Sequence, residues 1–167
     1  PPPATATTVK NDDISCNGEC PSNMVYLDTF YGCVKKLPNG NGMLASGRQG
    51  FLGGVIDDWL DESLRSGIEG TYGPIAEWDI SEVTNLKALF YNKRTFNEDI
   101  SKWDTSKVDT LASTFAGASA FNAEISTWDT SKVVDLANTF YGASTFNAEI
   151  STWDTSKVIT LAGTFRE

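Results

Sequence analysis

The sequence predicts a mainly β/irregular fold: a short β-solenoid of about four 25-residue coils with a parallel sheet on one face, capped N-terminally by an amphipathic helix. Three observations predict it. Trp78, Trp103, Trp128 and Trp153 recur every 25 residues, each followed by aspartate. Large apolar residues keep the same period: Val83, Val108, Val133 and Val158, then Leu86, Leu111, Leu136 and Leu161, then Phe90, Phe115, Phe140 and Phe165. Such a unit has too few apolar residues to close a core alone, and stacking on its own copies supplies one. Finally, Leu52, Val55, Ile56, Trp59 and Leu64 fall at helical spacing just before the repeats, with Asp57, Asp58, Asp61 and Glu62 between them.

The chain divides into three parts. Residues 1–50 read as an extended arm and a cysteine-containing segment. The arm is rich in Pro, Ala and Thr, and a turn-rich linker with Pro38-Asn39-Gly40-Asn41-Gly42 closes this part. Residues 51–69 are the capping helix, placed to cover the first coil's apolar face. Residues 70–167 are the repeats. Within each, the Val-to-Leu segment reads as a short strand, with a tight return at Gly117 or Gly142 and an irregular segment over Phe-Asn-x-x-Ile. In-register strands would stack at about 4.8 Å.

Composition excludes several functions. With a net charge of −9 and a pI near 4.4, the chain lacks the clustered cations that nucleic acid or anionic lipid requires. It has no histidine, which removes the usual general base and zinc ligand. No apolar run is long enough to span a bilayer. No cofactor is expected. The opening Pro1-Pro2-Pro3-Ala4 reads as a processed end. Cys16, Cys20 and Cys33 miss the common zinc spacings, so one disulfide with a free thiol is expected, pairing undetermined, in an oxidising compartment.

Polar residues repeat as faithfully. Asp79, Asp104, Asp129 and Asp154 stand two residues before Ser81, Ser106, Ser131 and Ser156, and Asn97, Asn122 and Asn147 form another row. Asp-Ser pairs at a corner accept backbone hydrogen bonds, as in Asx turns. Calcium would need more oxygens than an aspartate row interrupted by Lys107, Lys132 and Lys157 supplies. The tryptophans are expected in the core rather than as a ligand-stacking row. Identical carboxylate contexts on each coil give no acid-base pair distinct pKa values, so no enzyme activity is expected. The threonine rows lack the paired spacing that would favour ice binding.

The unit Trp-Asp-Thr-Ser-Lys-Val-x-x-Leu-x-x-x-Phe-x-Gly-Ala-x-x-Phe-Asn-x-x-Ile-Ser resembles the repeat of BspA-like surface proteins, the mycoplasma lipoprotein type. Thr71-Tyr72-Gly73-Pro74-Ile75 with Trp78-Asp79 resembles the lead-in of that family. The resemblance implies a leucine-rich-repeat-like solenoid and a binding surface. Where that family commonly has a second Met, this chain has Thr114, Thr139 and Thr164, which suggests a row facing outward or a crowded edge.

The expected function is a non-enzymatic interaction or scaffold module, secreted or surface-displayed, that binds protein or glycan. The alternative is an extrinsic accessory subunit docked on a large membrane complex, such as an algal photosystem in a plastid. Partner contacts are expected at the variable positions Asn85, Thr110, Asp135 and Thr160, with Asp109, Val134 and Ile159 beside them. They are also expected at an uncapped C-terminal end exposing Val158, Leu161 and Phe165, and along the N-terminal arm.

Overall fold

The computed structural model describes residues 24–26, 33–35 and 52–167. Two short strands, β1 (Met24–Tyr26) and β2 (Cys33–Lys35), pair antiparallel with Val25 opposite Val34. Helices α1 (Leu52–Leu60) and α2 (Glu62–Tyr72) follow, then a 3₁₀ turn at Ile75–Glu77. The cysteine pairing falls outside the described residues, as does the N-terminal arm.

The expected single cap helix is two. Asp61 breaks it, with extended backbone, and its carboxylate accepts the Ser63 N–H at 2.9 Å to cap α2. The apolar stripe therefore stops at Trp59. Leu52, Val55, Ile56 and Trp59 are buried, whereas Leu64 is exposed and α2 buries no residue fully. Trp59 meets Trp78 edge to face, which joins α1 to the first repeat.

The expected β-solenoid with its leucine-rich-repeat-like parallel sheet does not form. No strand occurs among residues 52–167; the only pairing there is a line of isolated parallel bridges, Asn85 to Thr110 to Asp135 to Thr160. The reason lies in backbone conformation. Ala88, Asn92, Ser113, Gly117, Asn138, Gly142 and Gly163 all take positive φ, which interrupts any extended run. Alternate amides then close turns inside their own coil: the N–H groups of Thr114, Ala116 and Ala118 donate to the carbonyls of Leu111, Ser113 and Phe115. Only the remaining amides reach the next coil, where Leu111, Ser113, Phe115 and Gly117 donate to Asp135, Ala137, Thr139 and Tyr141 at 2.7–3.0 Å. The repeats are thus a stack of turn-built coils.

The core runs through this stack as continuous rows. Phe90, Phe115, Phe140 and Phe165 lie nearly parallel at 5.4, 5.7 and 5.6 Å between ring centroids. Phe96, Phe121 and Phe146 form a second row, each ring against its partner in the first. The tryptophans are buried, as their neighbours imply, and pin each coil to the one before. The indole N–H of Trp128 donates to Ile100 O at 3.1 Å, and Trp153 to Ile125 O at 3.0 Å.

Candidate interaction surfaces

Most of the repeated polar residues are occupied by the coil itself. Asp104, Asp129 and Asp154 accept the N–H of Ser106, Ser131 and Ser156 at 2.9–3.0 Å. Hydrogen bonds from the serine hydroxyl and then the serine N–H hold these carboxyls below the usual aspartate value. Glu124 is lowered the same way by Ser126, and Glu149 chiefly by the Ser151 N–H. The asparagine row bonds from coil to coil: Asn97 Oδ1 accepts Asn122 N–H at 2.7 Å, and Asn122 Oδ1 accepts Asn147 N–H at 2.6 Å. No group of acidic or cysteine side chains among the described residues is arranged to hold a metal ion.

The threonine row, read as facing outward or a crowded edge, does not face outward: Thr114, Thr139 and Thr164 are buried. Thr139 Oγ1 donates to Leu111 O at 3.0 Å and to Leu136 O at 2.8 Å, and Thr114 and Thr164 repeat the pattern one coil either way. A carbonyl of the preceding coil and one of its own coil make a hydroxyl acceptable inside the core. In the first coil, which has no coil before it, this position is Leu89.

The variable row comes together as a line of bridge residues, half-exposed. Its side chains share one local task. Asn85 Oδ1, Thr110 Oγ1, Asp135 Oδ1 and Thr160 Oγ1 each accept the N–H two residues on. Asn, Asp and Thr all serve, which explains why the position varies only among short acceptors. Beside it, Val134 is exposed and Ile159 is 84% exposed. On the face of the last coil Leu161 and Phe165 are 57% and 61% exposed while Val158 is half-buried. A cavity of about 380 Å³ opens there between Phe140, Ala143, Phe146 and Phe165.

Sequence reasoning missed one exposed row. Thirteen residues after each tryptophan stand Tyr91, Ala116, Tyr141 and Arg166. The two tyrosines are 48% and 41% exposed, and Ala116 between them is 2% exposed. Their alternation with alanine at one repeat position was the available signal.

The geometry defines a class: a repeat protein of stacked 25-residue coils behind a two-helix N-terminal cap. Residues 62–167 match the family described as Mycoplasma protein of unknown function, DUF285, and the chain belongs to that family. Neither the curated proteins nor the solved structures yield a match. No helix among the described residues is long and apolar enough to cross a membrane.

Proposed function

We propose that the protein is a non-enzymatic interaction module displayed at the cell surface or outside the cell, in which the coils hold a fixed lateral surface for a partner. One observation carries this reading: the repeated polar groups are already used in turns and coil-to-coil bonds. No buried side-chain polar atom among the described residues lacks a partner. A catalytic site normally retains groups with split pKa values and a reacting position between them. Here the lowered carboxyls sit in near-identical exposed turns. The free chemistry lies on the outer face, at Tyr91, Tyr141, Arg94 and Ile159. The similarity of the repeat to BspA-like surface proteins supports the same reading.

The test is where the native protein resides and with what. Intact source cells are labelled with a membrane-impermeant reagent, and the extract is then resolved by size-exclusion chromatography with mass spectrometry. Labelled protein that migrates free of any large membrane complex supports the proposal. Unlabelled protein that co-migrates with a large membrane complex and leaves it only under chaotrope would overturn it in favour of an accessory subunit.

A further inference from the structure

From the row of Tyr91 and Tyr141 we infer a glycan-binding strip: the two rings take an extended β-linked polysaccharide lying along the stack axis. The inference rests on the surface-module reading and names its ligand class. The rings occupy equivalent positions two coils apart, each following directly on a residue of the Phe90 row, whose successive steps are 5.4 and 5.7 Å. A pyranose in an extended β-linked chain advances by about one such step. Successive sugars in the two-fold form alternate their faces, so like faces recur at every second residue. Tyrosine at every second coil has that spacing, and the buried Ala116 leaves room for the sugar between.

The side chains are free for this use. Neither tyrosine ring packs on another ring, and neither hydroxyl has a hydrogen-bond partner among the described residues, although both rings are nearly half exposed. An aromatic face with an unused hydroxyl suits a sugar, which offers C–H groups on its face and hydroxyls on its rim. Polar groups continue nearby. Arg94 is exposed with no ion pair among the described residues, and Ser119 and Ser144 hydroxyls donate only long bonds, 3.3 and 3.4 Å, to backbone oxygens. Two separate tyrosines across a non-aromatic step do not make the continuous apolar patch that a protein partner normally covers. A rigid ligand with a repeat of its own fits better.

The experiment is calorimetric titration of the full chain with hexasaccharides of cellulose and of chitin, using the helical α-linked maltohexaose as control. Binding to at least one β-linked hexasaccharide is expected, with affinity rising from the disaccharide to the tetrasaccharide as the second tyrosine is reached. Tyr91→Ala and Tyr141→Ala should each weaken it by about tenfold or more, and Phe at either position should restore most of it. Because each ring is nearly half exposed and packs on no other ring among the described residues, the Ala variants should stay folded and melt within a few degrees of the wild type, and the Phe variants should melt with it. No binding, equal binding of maltohexaose, or binding unmoved by the double Ala variant would overturn the glycan strip. A labelled, free protein at the cell surface that binds no β-linked glycan sinks this inference alone. Residence in a membrane complex sinks the surface-module reading beneath it.

Discussion

Thr139 shows how a single hydroxyl decides which sequence can continue the stack. It donates to one carbonyl of the coil before and one of its own coil, in a site with no exposure. Thr139→Val keeps the shape and removes the hydroxyl, while Leu111 O keeps the Thr114 N–H and Leu136 O keeps the residue's own N–H, so a loss of about 0.5–1.5 kcal/mol is expected in denaturant unfolding. Gly117 sets a harder limit. Its φ is +73°, and a Cβ built there would stand 2.3 Å from Asn92 Oδ1. Gly142 has a similar φ but meets nothing closer than 3.8 Å. Both Gly→Ala variants should destabilise through backbone strain, by about 1 kcal/mol at Gly142 and by more at Gly117. Adding Asn92→Ala should recover part of the Gly117→Ala loss and none of the Gly142→Ala loss. Equal costs at the two glycines would refute the steric account.

At the scale of the coil, the repeating Asp-x-Ser turn links stability to pH. Asp104, Asp129 and Asp154 have folded values below the ordinary 3.8, and Glu124 and Glu149 lie below 4.5. Lowered folded values mean that each carboxylate contributes stability above its unfolded value and loses it as pH falls through the folded one. Acidification below about pH 4 should therefore lower the melting temperature. Combining Ser106→Ala, Ser131→Ala and Ser156→Ala should flatten that acid dependence, since the serine hydroxyls are the first cause of the aspartate shifts. An unchanged slope would place its origin elsewhere. These turns were legible in the sequence because Asp and Ser at a fixed offset have a local physical meaning. The absence of strands was not. Apolar spacings of three and four read alike in a short strand and in a turn-built coil. What separates them is the sign of φ at Ala88, Ser113 and Asn138, and of the four residues at that repeat position only Gly163 announces it. The break at Asp61 was hidden similarly, by an acidic residue that suited either the polar face of one helix or the cap of a second.

For the whole molecule, stacking makes stability a matter of neighbours. The second and third coils are covered on both sides, the first is covered by α1, and the outer face of the fourth is open at Leu161 and Phe165. Tryptophan and phenylalanine rows made the stacking direction readable from the sequence, because large buried rings must meet their own copies. Which amides hold the stack was not readable, since half of them turn back into their own coil. If each coil gains stability mainly from adjacent coils, protection against hydrogen exchange should be graded rather than uniform. The slowest amides are expected at Leu111, Ser113, Phe115 and Gly117, which donate from the second coil to the third. Amides of the fourth coil, including Leu161 and Gly163, should exchange faster. Phe115→Ala, in a site with no exposure, should cost about 3–5 kcal/mol. Phe165→Ala should cost far less, because only one of its faces is packed. A single protection level across all four coils, together with equal costs at the two phenylalanines, would mean that the coils fold as one indivisible unit. The open face of the fourth would then be as stable as the interior, and nearest-neighbour stacking would not be what holds this chain together.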